Sequence, residues 1–256
     1  MPRLYETPRH VTDVAECRFY HAMDLPVSGF QAGAWDLRDR IDEYIPALDY
    51  AGASVLDVGA SSGFLSFEFE RRGARVVAFD RAHDVAPDIV PFHDLDAAAA
   101  HRDLAPMFEK TKNGFWLAHR ELGSSVRAVY GHANAIPEAL GPVDIAFFGN
   151  ILQHLRDPFG AITSAAALAR RIVVTEAFWR TDLPQDEPLM YFLPAMVDAE
   201  AELRAHSWWQ VSAALVERWL SALGYRVEGR SRHEQLFVET GDLIPHYTVV
   251  ASRPER

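Results

Sequence analysis

Short apolar runs alternate with amphipathic segments along most of this chain, and the alternation predicts an α/β fold. Residues 53–58 (ASVLDV) form a continuous apolar run, which is typical of a strand buried on both faces. Residues 64–72 then follow a helical pattern that Gly73 would end, and residues 75–79 (RVVAF) read as a second strand. A strand, a tight turn, a helix and a strand within about thirty residues make a βαβ unit, which implies a parallel sheet with a right-handed crossover.

The same alternation resumes after residues 81–125, whose pattern is mostly helical. The remaining strands are predicted at 126–130, 143–148, 171–176, 225–227 and 247–251. The remaining helices are predicted at 157–170 and 211–223. We therefore predict a mainly parallel, seven-stranded sheet with helices on both faces.

Two segments interrupt this pattern. Residues 1–52 carry prolines, glycines and Trp35, and we predict that they form a helical and looped cap. Residues 177–210 lose the alternation and are rich in proline and aromatic residues, and a loop-rich insertion of this length is typical of a lid. We expect a single domain with a cap at 1–52, a core at 53–176, a lid insertion after the fifth strand at 177–210, and a closing helix and strands at 211–256.

Composition and charge narrow the function classes. The 256 residues are 49% hydrophobic and 24% charged, as in an ordinary soluble domain. Asp and Glu outnumber Lys and Arg by 36 to 25, and a net charge of −11 repels phosphate backbones, so a nucleic-acid partner is not expected. The single cysteine, Cys17, excludes an intramolecular disulfide and a thiolate metal cluster. With no bilayer-length apolar run and a charged N-terminus, we expect a cytoplasmic protein without a membrane partner.

The stretch 55–63 (VLDVGASSG) carries the first chemical signal. In a parallel sheet, ligands bind beyond the carboxyl ends of the strands, where glycines such as Gly59 and Gly63 let the backbone approach the ligand. Asp80 ends the next strand, and an acidic side chain there can accept both hydroxyls of a ribose. Together they predict a site for an adenosine-containing cofactor. A plain tight turn and a solvated strand-end aspartate are the alternatives.

Three successive stretches, VLDVGASSG, VVAFD and VDIAFFGNILQHLRDP, resemble the motifs of class I S-adenosylmethionine-dependent methyltransferases, with the resemblance covering about 53–176. It implies a Rossmann-like fold, S-adenosylmethionine as cofactor and S-adenosylhomocysteine as product. It implies that Asp57 and the 59–63 loop face the methionine part, that Asp80 faces the ribose, and that residues 133–134 and 149–150 lie at the adenine and the sulfonium. The implied cofactor residues are Asp57, Gly59, Ala60, Ser61, Gly63, Asp80, Arg81, Ala133, Asn134, Gly149, Asn150 and Gln153.

Two further alternatives stand beside this function. The stretch FFGNILQHLRDP, the RIVVTE strand and the aromatic loop after it are similar to the tRNA wobble-uridine carboxymethyltransferase branch. In that branch a tyrosine binds the extra carboxylate of the cofactor, and this chain has Gln153 at that position. The resemblance therefore implies ordinary S-adenosylmethionine as the cofactor. A tRNA substrate is left as the alternative. A non-catalytic cofactor-binding protein is the second alternative. A nicotinamide enzyme is disfavoured because the fingerprint G-x-G-x-x-G is absent.

His154 is the predicted general base, since it follows the cofactor loop and an imidazole titrates in the useful range. Its spacing from Asn150 (i, i+4) would put both side chains on one face of a helical turn. A structural histidine beside a helix capped by Asp157 is the open alternative. The other histidines lack metal-ligand spacing, and we predict no metal.

Aromatic residues of the cap and the lid predict the side on which the methyl acceptor binds. Large rigid rings with few polar groups build small-ligand pockets. Packing between lid and core is the alternative for any one ring. The predicted substrate residues are His154, Phe19, Tyr20, Trp35, Trp179, Tyr191, Trp208 and Trp209. We expect transfer of a methyl group to an oxygen or nitrogen of a small, flat or aromatic metabolite, and we predict no particular oligomeric state.

Overall fold

A computed structural model describes residues 4–195 and 206–254. The strands are β1 Met23–Leu25, β2 Gly29–Gln31, β3 Trp35–Asp36, β4 Ser54–Val58, β5 Arg75–Arg81, β6 Arg127–Gly131, β7 Val143–Gly149, β8 Ala169–Ala177, β9 Met190–Phe192, β10 Trp209–Val211, β11 Arg226–Phe237 and β12 Asp242–Ser252. The α-helices are α1 Ile41–Tyr44, α2 Phe64–Arg71, α3 Ala97–Glu121, α4 Pro158–Ala166 and α5 Ala213–Ala222. No helix within these ranges is long and apolar enough to cross a membrane.

The main sheet has the strand order β3-β11-β12-β8-β7-β4-β5-β6. The strands from β8 to β6 are parallel, whereas β12, β11 and β3 are antiparallel to their neighbours. The chain runs from β4 outward to β5 and β6, and then returns to β7 on the other side of β4. This reversal of strand order leaves a crevice beyond the carboxyl ends of β4 and β7, which is where ligands bind in open α/β sheets.

Two hydrophobic cores cover the two faces of the sheet. One contains the apolar faces of α1, α2 and α3 together with cap residues, and the other contains those of α4 and α5. Side-chain caps begin the longer helices: Asp157 Oδ1 accepts from the Gly160 amide at 2.8 Å, with Pro158 following at the first helical position. The predicted Rossmann-like fold with helices on both faces is confirmed.

The number of strands, the cap and the end of α4 differ from the predictions. The sheet has eight strands and is mixed, because β3 from the predicted cap adds an edge strand beside β11. The cap is not only helical and looped, since β1 and β2 form a hairpin of three residue pairs. The helix predicted at 157–170 ends at Ala166, and β8 already begins at Ala169.

The closing strands are longer than predicted, and part of the predicted lid lies outside the described ranges. The closing strands, predicted at 225–227 and 247–251, form one long hairpin of 12 and 11 residues, β11 and β12. Of the predicted lid, the structure describes 177–195 and 206–210, including the pairing of β9 with β10. Residues 196–205 of that prediction lie outside the described ranges.

Candidate active site

The glycine loop after β4 turns the chain sharply into α2. Gly59, Ser61 and Gly63 have φ of 85°, 53° and 89°, so the backbone is left-handed three times within five residues. The amides of Gly59 and Ala60 donate to the Phe79 carbonyl at 2.8 and 3.2 Å, which ties the loop to β5. A Cβ on Gly59 would lie 2.3 Å from Cδ1 of Ile151, so the loop also packs directly against the segment after β7.

Asp57 lies under this loop at the end of β4 and is 1% exposed. The Ser66 hydroxyl, on α2, donates to Asp57 Oδ2 at 2.6 Å. Burial, aided by the charge of Asp80, raises the pKa of the Asp57 carboxyl to about 7, against the effect of the Ser66 hydrogen bond. The site therefore contains a carboxyl that changes charge near neutral pH and that a cationic ligand would ionise.

Asp80 is the second-last residue of β5 and lies beside the same loop. Its Oδ2 accepts from the Ser61 amide at 2.5 Å and its Oδ1 from the Arg81 amide at 2.6 Å. Each carboxylate oxygen keeps a further lone pair, so the side chain is held in place and can still accept from a ligand. The Arg81 guanidinium turns away, lying 4.1 Å over the Phe108 ring and donating to the carbonyls of Ala82 and Val85.

Lys112, on α3, was not predicted, and it lies against Tyr130, which lines a small pocket together with Asp80 and the glycine loop. Its side chain is 6% exposed, and its ammonium lies 4.5 Å from the Tyr130 ring centroid and 4.0 Å from Glu109 Oε1. Burial lowers the pKa of this ammonium to about 8, while the charges of Asp80 and Glu109 oppose the shift. A single buried lysine on an otherwise amphipathic helix gives no periodic signal in the sequence.

Ala133 and Asn134 lie in the 3-10 turn Ala133–Ala135 directly after β6. The Asn134 amide nitrogen Nδ2 donates to the Asp157 carbonyl at 2.8 Å and to its carboxylate at 3.1 Å, which links this turn to the start of α4. The side-chain oxygen Oδ1 is buried and has no hydrogen-bond partner among the described residues. An adenine amino group is a donor that would satisfy this oxygen.

The segment after β7 is held by a chain of amide hydrogen bonds. Gly149 is the last residue of β7, and Asn150 is left-handed, with φ of 56°. Asn150 Oδ1 accepts from the Ala177 amide and from Gln153 Nε2, both at 3.0 Å. Gln153 Oε1 in turn accepts from the Trp179 indole at 3.1 Å. The segment after β7 is thereby connected to Trp179 of the predicted lid.

Glu176, near the end of β8, is a second buried carboxyl that was not predicted. Its Oε1 accepts from the Leu152 amide at 2.7 Å, so it holds the 3-10 turn Leu152–His154 in place. Burial raises the pKa of Glu176 to about 8, and hydrogen bonds from the backbone amides of 151–153 oppose this rise. Like Asp57 and Asp80, Glu176 is an acidic residue in the second-last position of a mainly apolar strand, and this signal could have identified it.

His154 occupies the end of this 3-10 turn. The turn is not α-helical, so the predicted i, i+4 alignment of His154 with Asn150 on one helical face is wrong. Nδ1 of His154 lies 2.9 Å from the His206 carbonyl oxygen, and because that partner only accepts, Nδ1 carries the hydrogen. Burial lowers the pKa of His154 below its usual value, against the effect of this hydrogen bond. The neutral ring then offers Nε2 as a proton acceptor.

The predicted aromatic residues fall into two groups. The first surrounds the Asn150–Gln153 segment: the Trp35 indole donates to the Tyr20 hydroxyl at 3.2 Å, and the Trp35 and Trp179 rings lie 5.6 Å apart. Tyr20 and Trp35 belong to the predicted cap, and Trp179 belongs to the predicted lid. Trp35 is 2% exposed, whereas Trp179 is 38% exposed, so Trp179 forms the outer edge of the group.

The second group lies along the antiparallel pair of β9 and β10. The Trp208 amide donates to the Gln153 carbonyl at 2.7 Å, and its indole donates to the Asp88 carbonyl at 3.1 Å. Trp209 donates to the Arg156 carbonyl at 3.2 Å. The remaining predicted rings are Tyr191, which contacts Arg180, and Phe19, which is buried in the core under α2 and α3.

The strand order and the crevice define the class of fold, and comparison with solved structures agrees. A SAM-dependent methyltransferase from Methanosarcina mazei aligns with 84% of this chain and 97% of its own, with a TM-score of 0.54 and 14% identity. Magnesium protoporphyrin IX methyltransferase from Synechocystis PCC 6803, solved with S-adenosylhomocysteine, aligns with 80% of this chain and 76% of its own, with a TM-score of 0.51 and 16% identity. The chain has the Rossmann-like methyltransferase fold.

Sequence comparison covers a smaller part of the chain. Ubiquinone biosynthesis O-methyltransferases from three strains of Xanthomonas oryzae pv. oryzae are 28% identical to it over 131 residues. The alignment spans 51% of this chain and 44% of each relative, so the chain matches less than half the length of these relatives. No protein-family profile matches the chain.

Proposed function

We propose that this protein is an S-adenosylmethionine-dependent methyltransferase. The observation that carries the proposal is the crevice beyond β4 and β7, where a left-handed glycine loop lies between Asp57 and Asp80. Ligands of this fold class bind at such a reversal of strand order. The methyltransferase fold and the O-methyltransferases among the sequence relatives support the same function.

The residues around the crevice fit this cofactor. Asp57 and the 59–63 loop would face its methionine part, and the spare lone pairs of Asp80 would accept from the ribose hydroxyls. Asn134 Oδ1, buried without a partner among residues 4–195 and 206–254, would accept from the adenine amino group. When bound, the cofactor supplies a methyl group activated by a positively charged sulfur. The protein supplies placement and exclusion of water, which account for much of the rate of such an in-line displacement.

We propose a small, flat or aromatic acceptor with an oxygen or nitrogen nucleophile. Tyr20, Trp35 and Trp179 supply a group of rigid rings next to Asn150, of the kind that lines small-ligand pockets. The net charge of −11 favours a small acceptor over tRNA, because neutralising phosphates requires basic side chains.

A titration with S-adenosylmethionine and S-adenosylhomocysteine tests the cofactor. We expect micromolar binding of both, and about thirtyfold weaker binding to Asp80→Ala, because a charge-assisted hydrogen bond to the ribose is lost. Asp84→Ala, which removes an exposed carboxylate four residues further on, is the matched control and should bind normally. Failure of the unaltered protein to bind either compound, or equal binding to Asp80→Ala, would rule the proposal out.

We propose His154 as the base that takes the proton of the acceptor. Substitution with alanine is expected to lower the methylation rate about 100-fold at pH 7.5, a typical loss for a general base, while S-adenosylhomocysteine affinity stays within twofold. The exposed His10→Ala variant should keep the full rate. A His154→Ala enzyme that is fully active across the pH range would leave His154 with a structural role only.

A binding experiment with total tRNA distinguishes the alternative tRNA-modifying function from the proposed methylation of a small acceptor. A filter-binding affinity that falls steeply with salt would favour tRNA, since each phosphate contact releases counterions. Turnover of labelled S-adenosylmethionine on a metabolite extract would instead support the small acceptor, and its absence with every substrate would favour a cofactor-binding protein without catalysis.

A further inference from the structure

Tyr44 is a tyrosine of α1 that neither the sequence motifs nor the cofactor residues above account for. Its side chain is 1% exposed, and its ring lies among Phe147, His233 and His246, with ring centroids 6.2, 5.7 and 5.8 Å away. The Thr175 hydroxyl also contacts the Tyr44 carbonyl at 3.4 Å. Packing on several sides therefore fixes the direction in which the phenol points.

The phenol points toward the end of β7. A Cβ built on Gly149 would lie 2.7 Å from Leu65 Cδ1, 3.0 Å from Phe147 Cε1 and 3.2 Å from the Tyr44 hydroxyl oxygen, so the hydroxyl packs against the bare Cα of Gly149 beside two apolar side chains. Gly149 is the last residue of β7, at the edge of the crevice that lies between β4 and β7. Asn150, the next residue, begins the segment that the motif places beside the sulfonium.

The hydroxyl has no hydrogen-bond partner in the part of the chain that the structure describes, although it is fully enclosed. Enclosed polar groups are nearly always satisfied, so an unsatisfied one bordering a ligand crevice indicates a partner on the ligand. Burial raises the pKa of Tyr44 well above its usual value, and the charges of Glu176 and Asp57 add to the rise. The phenol stays neutral and cannot act as a base, but its oxygen keeps its lone pairs.

We propose that the Tyr44 hydroxyl oxygen contacts the methyl group of bound S-adenosylmethionine and orients it for transfer. The proposal rests on the proposed function and adds a catalytic residue to it. The positive sulfur withdraws electrons from the methyl carbon, so the methyl hydrogens can form C–H···O hydrogen bonds, which gain strength in an enclosed site of low dielectric constant. Tyr44 exchanges no proton and forms no bond with carbon.

The Tyr44→Phe substitution removes only this oxygen and tests the proposal by binding alone. S-adenosylmethionine and S-adenosylhomocysteine differ by the methyl group and its charge, so calorimetric titration of both against both proteins isolates the methyl contact. We expect the variant to bind S-adenosylmethionine about fivefold more weakly and S-adenosylhomocysteine within twofold of the unaltered protein. Tyr50→Phe is the matched control: its hydroxyl donates to the Pro46 carbonyl, and both affinities should stay unchanged.

A spectroscopic readout accompanies the affinities. With cofactor labelled by carbon-13 at the methyl, the bound methyl proton resonance should move upfield in Tyr44→Phe, because a C–H···O contact deshields the proton. If the variant bound both ligands equally more weakly, the hydroxyl would contact the amino-acid part that the two ligands share, and the proposal would be overturned. Unchanged affinities with an unmoved resonance would overturn it as well. Failure of the unaltered protein to bind either ligand would instead refute the proposed function itself.

Discussion

At pH 8, Asp57→Asn is expected to bind S-adenosylhomocysteine about thirtyfold more weakly than the unaltered protein, and to lose the pH dependence of binding between pH 6 and 8. Asp57 is 1% exposed, and burial raises the pKa of its carboxyl to about 7. In the proposed site its ionised form faces the ammonium group of the ligand. The affinity of the unaltered protein should therefore fall about tenfold between pH 8 and pH 6 as the carboxyl takes up a proton. The asparagine amide cannot ionise, so any remaining pH dependence belongs to the ligand.

The thermal stability of the unliganded protein is expected to change in the opposite direction from the ligand affinity, and it serves as the folding control. The folded-state pKa of Asp57 is raised above the value of an unfolded chain, so its stabilising contribution is complete below about pH 4 and is lost as the pH rises through about 7. Without ligand, Asp57→Asn should therefore unfold at a higher temperature than the unaltered protein at pH 8. A variant that is more stable and yet binds more weakly identifies Asp57 as a residue kept for binding at a cost in stability.

Ser66→Ala provides a graded test of the same carboxyl. The Ser66 hydroxyl donates to Asp57 Oδ2 at 2.6 Å and lowers the pKa of Asp57. Its removal should move the midpoint of the affinity profile to higher pH while the affinity at the alkaline limit changes little. If Asp57→Asn keeps both the affinity and the pH profile of the unaltered protein, Asp57 does not face the ligand.

The parallel part of the sheet could be predicted from the sequence because its strands are covered on both faces. β4 and β7 were predicted at 53–58 and 143–148 and lie at Ser54–Val58 and Val143–Gly149. Burial on both faces gives a continuous apolar run that stands out from the rest of the chain. β11, in contrast, is mostly exposed and carries alternating charges, so only its first residues had a strand pattern.

The candidate site could be predicted only where one short stretch contains the relevant residues. Asp57 lies one residue before the end of the 53–58 run, which the glycine loop follows, and Asp80 comes directly after the 75–79 run. Tyr44, on α1, packs against Gly149, and Lys112, on α3, lies over the Tyr130 ring, through contacts that depend on how these helices pack on the sheet. Neither has a sequence signal, because tertiary packing alone brings them to the site.

The cap brings the predicted acceptor side together through very short elements. The amide of Ala22 donates to the Trp35 carbonyl at 2.7 Å, and the amide of Trp35 donates to the Tyr20 carbonyl at 3.1 Å. Two or three residues are too few to show a period of two, which is why β1, β2 and β3 were predicted as helix and loop. Their backbone pairing nevertheless places Tyr20 and Trp35 next to each other.

Gly33→Ala is expected to destabilise the protein by about 3 kcal/mol or more, through overpacking of this backbone pairing. A Cβ on Gly33 would lie 2.3 Å from the His21 carbonyl carbon and 2.4 Å from the Ala22 amide nitrogen. Both atoms belong to the backbone, so no side-chain rotation relieves the clash, and the strand that carries Trp35 must move away from Tyr20. The melting temperature should fall by roughly 6–12 °C, as expected for this loss in a domain of about 250 residues.

Gly229→Ala is the matched control, because Gly229 lies in β11 without a left-handed φ, and a Cβ added there would have no atom within 4 Å. Its melting temperature should stay within about 2 °C of the unaltered protein, since surface substitutions change stability by about 0.5 kcal/mol or less. Equal stability of the two variants would show that Gly33 does not hold the cap in the close pairing described. A destabilised Gly33→Ala that still binds S-adenosylhomocysteine below its melting temperature, but methylates poorly, would place the cap on the acceptor side of the site and not on the cofactor side.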